Sequence, residues 1–168
     1  MPDSALDQPA AEPKDPPLPG DVPGAADCTP AHPVYIPTKQ GGKYHFAVGP
    51  SNSNYNGTSR TAKSTFTSEV TAEVGVAVSG DLEVSVNTLI NEVKTKFHVQ
   101  VSAKMTAKLG NSISVDTPSH KTTHAKYGVW RLMHTGKSYY LHQNCTASPE
   151  HTVVSYSPYH VGWYLWES

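Results

Sequence analysis

The sequence predicts an all-β fold, an elongated antiparallel sheet or sandwich with long central strands, preceded by an extended Pro-rich arm. Three observations carry this. Long runs place apolar residues at every second position, no stretch shows convincing helical periodicity, and the last third is rich in Tyr and Trp punctuated by Ser, Pro and Gly. With 168 residues the chain can build one sizeable core. The expected division is residues 1–33 as the arm and 34–168 as a single β domain.

The arm, MPDSALDQPAAEPKDPPLPGDVPGAADCTPAHP, has only Leu6, Leu18 and Val22 as larger aliphatics. Such a segment buries too little apolar surface to offset its ordering entropy, so alone it should be disordered or polyproline-like. Held by a partner it becomes a binding arm; otherwise it is a linker or stalk. Its six carboxylates, among them Asp15 and Asp21, face a single Lys14, for a local charge of −5 in a chain of net −1. The remainder is mildly basic. Neither figure points to nucleic acid as a partner.

After the arm, KYHFAVG reads as a short strand, and the Gly-Pro and Asn-Gly pairs of GPSNSNYNGTSRT as a polar loop. In FTSEVTAEVGVAVSGDLEVSV the even positions Phe66, Val70, Ala72, Val74, Val76, Val78, Leu82, Val84 and Val86 are apolar and the odd ones mostly Thr, Glu or Ser, the pattern of a half-buried strand bent or turned at SGD. NTLINEV then shifts the apolar parity, which requires a bulge, a short helical turn or a hairpin tip. From Val93 to Leu109 an alternating ribbon follows, about 55 Å long if uninterrupted. SISVDTP and KYGVWRLM read as further strands, and the last third as two or three short ones.

Chemistry-bearing motifs are scarce. GxSxG, Gly-rich phosphate loops, HExxH and CxxC are all missing, so no catalytic residue, metal ligand or cofactor is predicted. His120 and His124 are four apart, but they follow a proline among threonines, where that spacing aligns no pair of imidazoles, and no third ligand is suggested. Glu69, Glu73 and Glu83 fall on the polar face of the long run and read as solvated strand surface. The two cysteines, Cys28 and Cys145, could form a nucleophile pair with His142 or His151 beside Cys145. The better reading is a disulfide closing more than a hundred residues. No window of the sequence is long and apolar enough for a membrane-spanning helix, and the first thirty residues lack a signal-peptide apolar region. The choice between a cytosolic protein and a mature secreted one falls to composition. Few charged residues and an even pair of cysteines favour the secreted one. Asn56-Gly57-Thr58 and Asn144-Cys145-Thr146 match the N-glycosylation pattern, in expected loops.

Two groups of residues are candidates for contact. Lys94, Lys96, Lys104 and Lys108 share the even face of the ribbon with His98, a basic stripe suited to an acidic partner or to guarding a strand edge. Tyr156, Tyr159, Trp163, Tyr164 and Trp166 supply amphipathic rings of the kind enriched at interfaces and sugar sites. Alternation in VGWYLW places Trp163 and Leu165 on one face and Tyr164 and Trp166 on the other, so half of this cluster should be core and half contact surface.

The long alternating strands, the parity break at Asn87 to Glu92 and SVDTPSHKTTHAKYGV resemble, over residues 60–133, the elongated β module of aerolysin-type pore-forming toxins. That likeness implies a segment able to refold into a membrane-spanning hairpin. The Pro/Ala/Asp-rich N-terminus, KYGVWRL and CTASPEHTVVSYSPYHVGWYLW resemble small secreted actinobacterial proteins, among them the adaptor subunit of the umbrella toxin particles of streptomycetes. This second likeness implies a secreted, non-enzymatic adaptor joining a β-propeller lectin to the repeat ring of a large toxin in antibacterial competition. The arm would lie in one partner, anchored by residues such as Leu18 and Val22 and steered by its acidic charge. The body would hold the other through Lys94, Lys96, Lys104, Tyr159, Tyr164 and Trp166. The adaptor is the preferred expectation. The alternatives are the pore former, the only one that would bring a membrane partner, and a small carbohydrate binder using Tyr159 and the terminal tryptophans.

Overall fold

The computed structural model describes residues 28–168. Leu6, Asp15, Leu18, Asp21 and Val22 therefore lie outside the described residues. Three long strands dominate: β1 (His32–Ala47), β8 (Thr122–Leu141) and β9 (His151–Glu167). Short elements lie between them: β2 (Asn52–Tyr55), β3 (Ala62–Thr67), β4 (Ala72–Gly75), β5 (Ala77–Ser79), α1 (Val86–Phe97), β6 (Lys104–Ala107) and β7 (Ser112–Thr117). The all-β class with long central strands holds. The longest of them are not where the alternation is cleanest.

One antiparallel sheet runs β1-β8-β9-β5, and β2 extends the β1 side of β8. Two further ladders nest inside one another: β3 pairs with β7 and, within that loop, β4 pairs with β6. β8 is regular throughout its twenty residues, whereas β1 carries two register irregularities and β9 one, with Tyr159 the extra residue opposite Trp130 and Arg131. At about 3.3 Å per residue, β8 is a strut of roughly 65 Å.

Which face of that strut is buried changes along its length. In the first half the odd residues Ala125, Tyr127 and Val129 are buried, the last two against Val48, Val74, Ala107, Met105 and Trp163. In the second half the even residues Leu132, His134 and Ser138 are buried. There Leu132 joins Tyr35, Val101 and Val153 under Leu89, Ile90 and Val93 of α1. Because successive side chains of a regular strand point to opposite faces, the sheet is covered by the β4–β6 ladder on one face at one end and by α1 on the other face at the other end. Among the described residues, no other element covers the opposite face at either end, although Tyr139 is buried there.

The helix corrects the expectation that helical periodicity is missing. Leu89, Val93 and Phe97 are four apart, a spacing that serves a strand face and a helix face alike. Ile90, adjacent to Leu89 and also buried, fits only the helix. Ser85 caps its start by accepting the Thr88 N–H, and His98 closes it in the left-handed conformation with its N–H bonded to the Lys94 carbonyl. The ribbon from Val93 to Leu109 is therefore the end of a helix, an irregular stretch and a four-residue strand. The run from Phe66 to Val86 is likewise divided among β3, β4, β5 and coil. In the last third, one 17-residue strand replaces the expected short ones.

Cys28 and Cys145 form a disulfide across 117 residues, with Cα atoms 5.3 Å apart. It ties the start of the described chain to the β8–β9 connection, just beyond the His32–Leu141 pair. A disulfide of this kind belongs to an oxidising or extracellular setting. No described helix is long and apolar enough to cross a membrane.

Candidate interaction surface

The uncovered face at the first end of β8 holds its even residues His124, Lys126, Gly128 and Trp130. Their direct partners on β9 are Trp166, Tyr164, Gly162 and His160, and β1 adds His45 opposite Trp130. The rings touch in succession. His45 lies 4.8 Å from Trp130 and 5.9 Å from Tyr164, Tyr164 lies 5.3 Å from Trp166, and Trp166 stacks on His124 at 5.0 Å with planes only 12° apart. Lys126 places its ammonium 5.4 Å above Trp166. The Gly128–Gly162 pair makes a floor without side chains, across which His45 Nε2 donates to the Gly162 carbonyl at 3.0 Å. Burial, with Lys126 nearby, pushes the His45 pKa below its ordinary value, and the carbonyl offsets part of that. The bond requires that Nε2 carry a proton.

Two properties distinguish this face. Among the described residues it carries one small aliphatic side chain, Ala47 opposite Gly128, and no carboxylate: Glu167 pairs with Thr123 on the opposite face. Its rings are half-buried, and among the described residues they contact one another rather than a covering element. At its margin an open cleft of about 490 Å³ is lined by Lys43, Trp130, Tyr159 and His160. The uncovered face at the other end is aromatic as well. There the Arg131 guanidinium lies 4.5 Å from the Phe46 ring and 5.5 Å from Tyr156, and Tyr44 meets Tyr156 edge-on at 5.6 Å. Tyr44 and Phe46 are about two-fifths exposed, at 40% and 43%.

Of the residues singled out from sequence, Tyr164 and Trp166 fall on the ringed face and Tyr159 beside it. Trp163 points the other way, packing on Tyr127 and Phe66 and donating its indole N–H to Asn111 Oδ1 at 2.8 Å. The split read from VGWYLW is therefore what the sheet produces. The lysines do not form a stripe. Lys94 and Lys96 occupy the last turn of α1, where positive charge suits the helix dipole, and Lys104 on β6 pairs with Glu73 at 3.7 Å. The stripe depended on an uninterrupted strand, and α1 breaks it. His45, Lys126 and Trp130 were missed. They reach the face only through cross-strand register, and each sits in a local pattern indistinguishable from ordinary strand.

Among the described residues no group of three potential ligands could hold a metal ion. His120 lies in a turn beside Ser119, and His124 bonds Ser168 Oγ at 2.7 Å. Asn56 is buried and spends its amide on the Arg60 and Thr117 carbonyls, so the first glycosylation pattern is structural in the folded state. No family model matches the sequence, and no curated protein matches it significantly.

Proposed function

We propose that this chain is a secreted, non-enzymatic adaptor that holds two partner proteins a fixed distance apart. One observation supports this above all. The Cys28–Cys145 bridge roots the N-terminal segment at one end of the β8 strut, and the ringed face lies at the other. A regular strand clamped between β1 and β9 is stiff, so contacts made through the two ends are spaced by tens of ångströms. Half-buried Trp and Tyr beside a cation form the kind of surface that supplies binding energy in protein interfaces. In this reading the N-terminal segment, through Leu6, Leu18 and Val22 with Asp15 and Asp21, engages one partner. The face of Tyr164 and Trp166, with Tyr159 at its margin, engages the other. The sequence likeness suggests a repeat-ring toxin and a β-propeller lectin for these roles. Lys94, Lys96 and Lys104 belong to the α1 and β6 side and are candidates for secondary contacts.

Copurification from culture medium with mass spectrometry tests the proposal. Deleting residues 1–27 should remove one stoichiometric partner and Trp166→Ala the other. Retention of both partners by both variants would sink it. A second reading, the pore former, draws on the nesting of β4–β6 inside β3–β7 with α1 at the tip, which is the connectivity of an extensible hairpin. The ladders hold only six and four residue pairs, against about nine to eleven residues per spanning strand. Dye release from liposomes would favour this reading over the adaptor.

A further inference from the structure

The ringed face calls for a ligand rich in groups that stack on aromatic rings and carrying negative charge. Neighbouring aromatic rings on an open sheet face favour proline, whose fixed, extended backbone docks in aromatic-lined grooves at low entropic cost. Lys126 over Trp166 and the lack of a carboxylate among the described residues of this face favour an acidic partner. Residues 1–27 of this same chain contain seven prolines and six carboxylates against one lysine.

Reach permits the contact. From Tyr140, next to the disulfide end, to Trp130 is about 33 Å along β8, and to His124 about 53 Å, at roughly 3.3 Å per residue. Twenty-seven residues of polyproline backbone extend about 84 Å at roughly 3.1 Å each. Tethering through Cys28 also raises the effective concentration of the segment at the face to about the millimolar range, so a weak intrinsic affinity is enough.

We infer that the acidic Pro-rich segment 1–27 occupies the His45–Trp130–Tyr164–Trp166 face of its own domain in the isolated chain. The two binding elements of the adaptor then satisfy one another, and a partner that captures either one exposes the other. Assembly on one partner promotes assembly on the second without a change in the fold.

Zero-length carbodiimide cross-linking of the full chain tests this, using an equal mixture of ¹⁴N- and ¹⁵N-labelled protein to separate links within a chain from links between copies. The expected product is an amide joining Lys126 to Glu12, Asp15 or Asp21 of the same chain. Its yield should fall several-fold in Trp130→Ala and Trp166→Ala and at high salt. The Lys137–Glu150 pair, 3.9 Å apart at the disulfide end, provides a link that reports an intact fold in every variant. Formation of that link without any from Lys126 to the segment overturns the inference. So do Lys126 links found only between copies. The experiment uses no partner, so its failure leaves the adaptor reading standing, and loss of the adaptor reading at copurification leaves this contact intact.

Discussion

His134 makes the domain sensitive to acid. It is fully buried on β8, its ring 5.1 Å from Phe97 at the end of α1, and Nε2 donates to Gln40 Oε1 at 3.0 Å. The Leu132 backbone lies near, but no acceptor meets Nδ1 in hydrogen-bond geometry, so a second proton there would be buried without a partner. Burial accordingly lowers the pKa from the ordinary 6.5 to about 4. A folded-state pKa below the unfolded one means that the unfolded chain takes up the proton first. The stability His134 permits is complete above pH 6.5 and is lost as pH falls toward 4. From these two pKa values the loss is about 2 kcal/mol at pH 5 and approaches about 3 kcal/mol below pH 4, since each pH unit between them is worth somewhat more than about 1 kcal/mol. Urea denaturation at intervals from pH 7 to pH 4 measures it, with His134→Gln as comparator, since glutamine can still donate to Gln40 but does not titrate. The stability difference between wild type and variant should shift by about 2 kcal/mol against the wild type between pH 7 and pH 5. Parallel pH profiles for the two proteins would refute the reasoning.

Replacing both Cys28 and Cys145 by serine should cost about 4.9 kcal/mol from the entropy of the 117-residue loop, lowering Tm by roughly 10–20 °C in calorimetry. Leu89→Ala, at a fully buried position of α1, should lose about 2–5 kcal/mol in chemical denaturation, with the helix rather than the β8–β9 ladder gaining amide exchange. In Gly136→Ala the new methyl would lie 2.6 Å from the Tyr35 ring, which is itself buried, so a loss of about 1–3 kcal/mol is expected. Tyr35→Leu in the same chain should make the combined loss smaller than the sum of the two, measured as a double-mutant cycle.

The β class, the cysteine pair and the two-sided character of VGWYLW were legible from residue types and period two alone, because strand alternation and thiol pairing are local or nearly local properties. The helix was not. Leu89, Val93 and Phe97 satisfy both periods, and what decides is Ile90 finding cover beneath α1 against Tyr35 and Leu132, a contact made across more than forty residues. The ringed face was half legible: Tyr164 and Trp166 stand out by composition, but His45, Lys126 and Trp130 join them only through antiparallel register.

By itself, the sequence determined that this chain builds strands, closes a long disulfide loop and carries an acidic Pro-rich segment apart from a mildly basic body. Only the tertiary structure decided which apolar faces are core. The β8 strut is regular, so every side chain's face is set by its parity. Whether that face is buried depends on which short element folds back over it: the β4–β6 ladder at one end, α1 at the other. Among the described residues the faces opposite those two covers are the open ones, and the local pattern of VGWYLW marks only part of one of them.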